Sequence, residues 1–406
     1  MSSSDDDGRA SASALARLVG ADPSAFEGAW GRTHLLHHGA GFEDLLDLPA
    51  IDELLTTRGL RTPFLRVAKD GTPFDERRFT SGGGVGAAIA DQLDDARLTA
   101  LFADGATLVL QGLHRTWAPV AEFVRDLAAE LGHPVQANAY ITPPQSQGFS
   151  AHYDVHDVFV LQLSGEKRWV IHDPVLRWPM RDESWEKGGR RDLVARAAEG
   201  EPALDVVLVP GDCLYLPRGH LHAATALGGV SAHLTIGIHT WTRHHLATDV
   251  MRQALTRASD LRAPLPAGVD VGDPAAISQD AAAVRAALLA AVESISDADL
   301  AAAMGRRADD SGRPAPVSPL AQAAAVRDLT ADSVVRVRAH LRLRHVPTGE
   351  GLRLVGRGVD VLLPEATAPH VLDTLLDGAP HRVGDLPAAA SDLVTRLLAA
   401  AVLVPA

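Results

Sequence analysis

The chain of 406 residues has 38 basic and 51 acidic side chains, a net charge of −13, with 46% hydrophobic and 22% charged residues. This composition is typical of a soluble globular protein of two or three domains. The acidic balance disfavours nucleic acid and suits basic partners. A single cysteine, Cys213, excludes a disulfide framework and a zinc finger, and its apolar surroundings favour a small buried residue over a nucleophile.

No stretch approaches the ~20 apolar residues that span a bilayer. The Ser- and Asp-rich start lacks the basic and apolar regions of a secretion signal. We therefore predict a cytoplasmic protein whose residues 1–25 form a disordered or weakly ordered tail.

The first half contains one strand and one helix with clear signals. Thr107–Gln111 is a short apolar run that predicts a buried strand. Pro119–Leu131 carries an apolar stripe at helical spacing, with Pro119 suited to the first turn and Gly132 to the end.

Between residues 135 and 240 the pattern changes to short β-rich runs separated by turn residues such as Ser164-Gly165 and Pro210-Gly211. The predicted strands are Val135–Thr142, Val158–Leu163, Lys167–His172, Val206–Val209, Leu214–Leu216 and Leu234–His239. Many short strands at this spacing predict a sandwich or barrel, of which a double-stranded jelly roll of the cupin kind is one form. A charged, tryptophan-containing insertion at about 178–200 interrupts it.

After residue 245 the spacing becomes helical over His245–Ser259, Ser278–Ile295 and Ala298–Gly305. Asp309–Pro319 has the composition of a linker. Residues 319–406 mix short strands with two helices, an order that resembles a winged-helix module. Such modules often bind nucleic acid, which the net acidity disfavours here, so a structural or interaction role is equally open.

The segment His152-Tyr153-Asp154 carries the strongest chemical signal. Residues two apart on a strand share a face, so His152 and Asp154 can bind one metal ion. Imidazole and carboxylate ligands without thiolates suit Fe(II), and two histidines with one carboxylate form the facial triad of non-haem oxygenases. His156 would also share that face, and we interpret it as a residue beside the ligands or at the surface.

The third ligand is predicted within Pro217-Arg218-Gly219-His220-Leu221-His222. His220 and His222 are again two apart, and spacing alone does not choose between them. The turn at Pro210-Gly211-Asp212 would return this segment to the first pair of ligands.

Long motifs surround these residues: Asn138–Pro144, Ser146–Phe149, His152–Asp154, Asp157–Trp169, Pro210–Asp212, Leu214–Gly219, His222–Ala223 and His233–Thr235. In these motifs the chain resembles the JmjC-type ribosomal oxygenases, Fe(II)- and 2-oxoglutarate-dependent protein hydroxylases of the cupin class. The likeness covers about residues 26–245 well and the remainder more loosely.

The resemblance implies roles for individual residues. It selects His222 as the third metal ligand, with His152 and Asp154. It implies that Lys167 pairs with the distal carboxylate of 2-oxoglutarate, and that Asn138 lines the same pocket. Some relatives have a hydroxyl on the last core strand. Here Gly237 occupies that place and Thr235 lies nearby, so we expect Thr235 to contribute to the pocket.

The resemblance also implies an overall organisation. The expected fold is a mainly β double-stranded β-helix at 26–245, a helical dimerisation region and linker at 246–318, and a winged-helix-like domain at 319–406. The expected activity is hydroxylation of a protein side chain, with a ribosomal protein as the leading substrate. Fe(II), 2-oxoglutarate and O₂ are the expected cofactors, and a homodimer is the expected assembly.

Several alternatives stay open at this point. The same chemistry suits a peptide natural product, a small molecule or a tRNA base, and it also suits demethylation of a methyl-lysine. A non-catalytic metal-binding cupin would keep the fold without the reaction. A zinc hydrolase also needs an open metal site, and dependence on oxygen and 2-oxoglutarate separates the two classes.

Overall fold

The computed structural model describes residues 13–39, 41–146, 150–364, 369–387 and 390–406. The chain divides into two units, of which the first ends at Thr240 and the second begins at Trp241. The part Gln147–Phe149 of one predicted motif lies outside the described residues.

The first unit is built on one large antiparallel sheet. Its strands, together with the separate pair β4 and β5, are β1 (Leu35–His37), β2 (Leu65–Lys69), β3 (Thr72–Pro73), β4 (Thr80–Ser81), β5 (Gln92–Leu93), β6 (Thr107–Leu110), β7 (Val135–Thr142), β8 (Asp157–His172), β9 (Leu204–Leu208), β10 (Cys213–Leu216) and β11 (Leu221–Ile238). In the described residues the sheet order is β1-β10-β8-β11-β7-β6-β2-β3, and β9 pairs with β8.

Two long strands, β8 and β11, pair along most of their length and organise this sheet. The sequence predicted two strands where β8 runs continuously through Gly165. Gly165 has a φ of 62°, and a Cβ there would lie 2.2 Å from the carbonyl oxygen of Val230. Only glycine permits this close approach, so the turn signal marks a bend within a strand instead of its end.

The bend lets the two ends of β8 line one small interior. Val158 and Val160 from one end pack with Trp169 and Ile171 from the other. The opposite face of the sheet packs against helices in a larger core that includes Phe159, Leu234 and Leu127. The smaller interior is the space in which the predicted site residues lie.

Six of the seven helices described in the first unit pack in the larger core, whereas Val194 of the seventh packs with Tyr153 and Leu221. The helices are α1 (Ala14–Val19), α2 (Ser24–Ala29), α3 (Leu48–Thr56), α4 (Asp95–Ala103), α5 (Leu113–Thr116), α6 (Ala118–Leu131) and α7 (Arg190–Ala197). The predicted helix Pro119–Leu131 is confirmed as α6, which ends at Gly132 with a φ of 68°.

Of the segment 1–25, predicted to be disordered or weakly ordered, residues 1–12 lie outside the described residues, and the described part includes α1. Leu18 is only 1% exposed, and the backbone N–H groups of Ala14 and Leu15 donate to the carboxylate of Glu130. A carboxylate at the start of a helix satisfies N–H groups that lack partners within it. Glu130 is distant in sequence, so no local pattern could reveal this contact.

The second unit begins with helices and ends with a mixed helix and strand module. Its helices are α8 (Arg243–Arg257), α9 (Ser278–Glu293), α10 (Asp297–Ser311), α11 (Pro319–Arg327), α12 (Pro369–Leu375) and α13 (Ala390–Ala399). Its strands are β12 (Val334–Val337), β13 (Leu343–Thr348), β14 (Gly351–Gly356), β15 (Val359–Pro364), β16 (His381–Arg382) and β17 (Leu403–Pro405). They form two antiparallel sheets, β16-β12-β17 and β13-β14-β15.

A buried ion pair joins α8 to α10. The guanidinium of Arg307 donates two hydrogen bonds, each 2.9 Å, to the carboxylate of Asp249, which is fully buried. These bonds lower the pKa of Asp249 to about 2. The predicted linker is also shorter than expected, because α10 extends to Ser311.

Among the described residues, no helix is both long and apolar enough to cross a membrane.

Candidate metal centre and co-substrate pocket

His152 and His222 are brought together by their backbones. The N–H of His152 donates to the carbonyl oxygen of His222 at 3.1 Å, and the N–H of His222 donates to His152 at 2.8 Å. This isolated antiparallel bridge places the two imidazole centroids 4.4 Å apart. The main chain therefore sets this pair, which does not depend on flexible side chains alone.

Both imidazoles point the same nitrogen towards the centre. Nδ1 of His152 lies 2.7 Å from the carbonyl oxygen of Ser150, and Nδ1 of His222 lies 3.1 Å from that of His220. A carbonyl oxygen only accepts, so each Nδ1 carries the proton and each Nε2 keeps its lone pair. Metal-binding histidines are held in this tautomer by such bonds.

The carboxylate of Asp154 faces the same space. Its Oδ2 lies 3.9 Å from Nε2 of His222, which is longer than the ~3 Å between neighbouring ligands whose metal bonds of about 2.1 Å meet at a right angle. Burial raises the pKa of Asp154, but the neighbouring imidazoles, led by His156, hold it below its usual value. Burial, with a contribution from His152, lowers the pKa of His222 to about 4, so this donor set suits a divalent cation at pH 7.

The side chains of His152, Asp154 and His222 are close together, but they do not converge on one metal position. In the described part of the chain, no group of three or more His, Cys, Asp or Glu side chains has the geometry of a formed metal site. The backbones of His152 and His222 are nevertheless already paired. The assignment of His152, Asp154 and His222 as ligands stays a prediction.

The structure distinguishes His222 from His220. His222 lies on β11 and faces Asp154. His220 precedes that strand, and the charges that affect its pKa are those of Asp173, His34 and Asp157. The spacing in the sequence did not distinguish the two histidines. In the structure β11 begins at Leu221, so His222 lies on this strand and His220 lies before it.

Lys167 is buried inside the barrel at 3% exposure. Its Nζ donates to Oγ1 of Thr142 at 3.1 Å, and burial lowers its pKa to about 7. Along β11, its cross-strand neighbour Ala226 is four residues from His222, roughly 13 Å at about 3.3 Å per residue. This value separates main-chain positions, and the position of the ammonium is set by the Lys167 side chain and its bond to Thr142.

Asn138 and Thr235 lie opposite each other on β7 and β11. The side-chain oxygen of Asn138 accepts a hydrogen bond of 2.9 Å from the N–H of Gly112. Thr235 is half-buried and also pairs with Val160. The bond to Gly112 orients Asn138 and leaves its amide hydrogens as the groups for a ligand. Their role in binding a co-substrate stays a prediction.

Several residues of the interior were present in the motifs but received no predicted role. His233 stacks on Tyr140 with ring centroids 5.0 Å apart, and Trp169 contacts His233 edge-on at 5.4 Å. Burial, followed by the charge of Lys167, lowers the pKa of His233 well below its usual value. Alternation along β7 from Asn138 would have placed Tyr140 and Thr142 on the same face.

The insertion at about 178–200 lies beside His152, one of the predicted metal ligands. The ring of Trp185 lies 6.2 Å from that of His152, and the hydroxyl of Tyr153 donates to the carbonyl oxygen of Glu183 at 2.7 Å. The sequence indicated the insertion without showing which face of the barrel it covers.

The predicted interpretation of Cys213 is supported, because the residue is a free, buried cysteine on β10. Burial raises the pKa of its thiol, which removes the thiolate needed by a nucleophile.

Part of the chain matches a known protein family. The family described as the JmjC domain matches residues 116–246, the segment that contains every predicted site residue. About a third of the chain is therefore similar to a JmjC domain.

Curated relatives are similar to about a third of this chain. Over 138 residues the chain is 38% identical to the bifunctional lysine-specific demethylase and histidyl-hydroxylase NO66 of Drosophila pseudoobscura pseudoobscura, covering 32% of this chain and 14% of that protein. It is 41% identical over 133 residues to ribosomal oxygenase 1 of Rattus norvegicus, covering 30% of this chain and 20% of that protein. The chain thus spans at most about a fifth of the length of these two relatives.

A solved structure resembles the whole chain. The Escherichia coli ribosomal oxygenase YcfD aligns over 95% of this chain and 98% of its own, with a TM-score of 0.54 and 17% identity. The same protein in complex with cobalt and 2-oxoglutarate aligns with a TM-score of 0.51. At this identity the likeness establishes the fold, and it confirms the predicted JmjC and cupin architecture.

Proposed function

We propose that this protein is an Fe(II)- and 2-oxoglutarate-dependent oxygenase that hydroxylates a side chain of a protein. The single observation that carries the proposal is the backbone pairing of His152 with His222, which sets their rings side by side with Nε2 of His222 facing Asp154. Two imidazoles and one carboxylate leave open positions on iron for a co-substrate and oxygen.

Each residue has a defined task in this proposal. His152, Asp154 and His222 hold the metal, and Lys167 pairs with the distal carboxylate of 2-oxoglutarate. Asn138 and Thr235 line the co-substrate pocket, and Trp169 with its apolar neighbours excludes water. When bound, iron and 2-oxoglutarate supply oxygen activation, with 2-oxoglutarate converted to succinate and carbon dioxide as one oxygen atom enters the substrate. The protein contributes positioning and a dry interior.

A ribosomal protein is the leading substrate. Two observations support this class: relatives bear the names ribosomal oxygenase and histidyl-hydroxylase, and the net charge of −13 suits capture of a basic protein. Lysine demethylation, named for one relative, uses the same chemistry. A peptide natural product, a small molecule and a tRNA base are the remaining alternatives.

The decisive experiment measures two products, succinate and a protein that carries one additional oxygen atom. Purified protein with Fe(II), 2-oxoglutarate and ribosomal proteins should form succinate and add the mass of one oxygen atom to one protein. Asp154→Ala should abolish both. Asp205→Ala is the matched control, because Asp205 lies on β9 in a surface ion pair with Arg168 and should leave turnover intact. An active Asp154→Ala variant would overturn the ligand assignment, and an unchanged set of ribosomal proteins would favour the natural-product alternative.

We further propose that the helical region mediates a homodimer. Helix α8 exposes Leu246, Met251 and Leu255 at 40%, 44% and 54%, and a groove of about 700 Å³ is lined in part by Met251 and Leu255. A second copy of this chain would cover that apolar face. Sedimentation should give a dimer that Leu255→Arg dissociates. A 42.8 kDa species alone at micromolar concentration would contradict the proposal.

We propose a winged-helix-like role for residues 319–406 and a cytoplasmic location. The mixed order of helices and strands after Pro319 supports the first. The single cysteine supports the second. Cell fractionation tests the location, and a fluorescence titration with duplex DNA or RNA tests whether the module contacts nucleic acid.

A further inference from the structure

The side chain of His156 packs in a space formed by His239, Gly237 and Gln136. Its side chain is 18% exposed, and its ring packs edge-on against His239 with centroids 5.3 Å apart. Beneath it lies Gly237, where a Cβ would come within 3.0 Å of the His156 Nε2 and 3.1 Å of the Gln136 Cγ. The ring can sit here because residue 237 has no side chain.

Gln136 determines which nitrogen of His156 carries the proton. The side-chain nitrogen of Gln136 lies 3.2 Å from Nε2 of His156. An amide NH₂ group only donates, so Nε2 accepts and the proton resides on Nδ1. His156 is thereby set in one tautomer, with its N–H directed away from Gln136.

That N–H faces Asp154. Nδ1 of His156 lies 4.0 Å from Oδ2 of Asp154, and this buried nitrogen has no hydrogen-bond partner within the described residues. An unmade hydrogen bond in a buried site costs free energy. A small rotation of the Asp154 carboxylate towards His156 would satisfy the donor.

We infer that His156 is a positioning residue for Asp154, an inference that rests on the proposed metal site. Its Nδ1–H faces Oδ2, the oxygen that also lies 3.9 Å from Nε2 of His222, so a hydrogen bond there would fix the orientation of the carboxylate that binds the metal. Gln136 and Gly237 act through His156, the first by setting the tautomer and the second by leaving room for the ring. Groups that orient metal ligands in this way contribute strongly to metal affinity.

Co(II) titration of the full-length protein, followed by visible absorption, tests this role without requiring turnover. His156→Phe keeps a ring but removes the N–H, and it should weaken Co(II) binding about 10–100-fold. His156→Asn keeps an N–H near the position of Nδ1 and should bind Co(II) nearly as tightly as the wild type. Gly237→Ala keeps every atom of His156 but displaces the ring, and it should also weaken binding.

Gly229→Ala is the matched control. Gly229 lies on the same strand as Gly237, and a Cβ there meets nothing within 4 Å, so Co(II) affinity should not change. If His156→Phe and Gly237→Ala bind Co(II) like the wild type, the positioning role is wrong and the proposed function stands. If the wild type binds no Co(II), the proposed function fails and this inference fails with it. Should His156→Phe not fold by circular dichroism, Gly237→Ala decides.

Discussion

The ammonium nitrogen of Lys167 lies 3.1 Å from the Oγ1 of Thr142 inside the barrel. That hydroxyl is in turn 3.2 Å from Oγ1 of Thr107. Within the described residues, no carboxylate forms an ion pair with Lys167, so only neutral oxygen solvates this buried cation. A buried ammonium without a counter-ion favours the neutral form, which gives the lysine a direct link between pH and ligand binding.

We predict that 2-oxoglutarate binding takes up a proton above pH 7. The pKa of Lys167 is about 7 in the free protein, and a carboxylate beside the ammonium would raise it. Affinity should therefore fall as the pH rises above about 7, by up to about tenfold per pH unit. Calorimetry in two buffers of different ionisation enthalpy measures the uptake, and Lys167→Met should bind weakly without this pH dependence. Binding at pH 8 with no proton uptake would contradict the assignment of Lys167.

We predict that His233 makes the protein sensitive to acid. Burial, then Lys167 and His222, lower its pKa in the folded state well below 6.5, whereas the unfolded chain binds a proton near 6.5. The unfolded state therefore holds more protons below that pH, and the free energy of unfolding decreases as the pH falls, by up to about 1.4 kcal/mol per pH unit.

Urea unfolding between pH 7 and pH 5 measures the effect of His233. His233→Phe keeps a ring stacked on Tyr140 and should give a shallower dependence. His370→Gln, at an exposed position on α12, is the control and should retain the wild-type slope. Equal slopes for wild type and His233→Phe would show that this imidazole is protonated in the folded protein.

We predict that replacing Gly165 with alanine lowers the free energy of unfolding much more than replacing Gly228 does. Their φ angles are 62° and 64°, so both variants incur the left-handed backbone cost of about 1 kcal/mol. At Gly165 the new Cβ would also meet the carbonyl oxygen of Val230 at 2.2 Å, whereas at Gly228 it meets nothing within 4 Å. Gly165→Ala should lose about 2 kcal/mol more of unfolding free energy than Gly228→Ala, measured by urea unfolding. Equal losses would mean that β8 is not tightly bent there.

We predict that Trp185 contributes more to binding of the protein substrate than to binding of 2-oxoglutarate. Its ring lies 6.2 Å from that of His152 and 5.6 Å from the guanidinium carbon of Arg191. Trp185→Ala should raise the KM for the protein substrate while leaving 2-oxoglutarate affinity near the wild-type value. Trp178→Ala is the control from the same insertion, because Trp178 bonds to the carbonyl oxygen of Gly31. Equal effects of both variants would indicate a general loss of the insertion's fold.

Local patterns predicted much of the fold. The apolar stripe of Pro119–Leu131 and the run Val135–Thr142 correspond closely to α6 and β7, because helix and strand periodicities are properties of neighbouring residues. Among the short strands of residues 319–406, β12 ends at Val337, and His340 adopts a φ of 58° in the turn that follows. Propensity does not indicate where a strand must turn to reach its partner.

The sequence alone determined which chemical groups this protein can bring to a metal: the pair His152 and Asp154 at strand spacing, and a histidine after Pro217-Arg218-Gly219. Only the tertiary structure decided that His222 meets them, that Lys167 is buried with no carboxylate paired to it in the described part of the chain, and that Gly237 makes room for His156. The physical reason is strand register. The pairing of β8 with β11, and of residue 152 with residue 222, sets distances between residues far apart in the chain, and no local pattern contains that information.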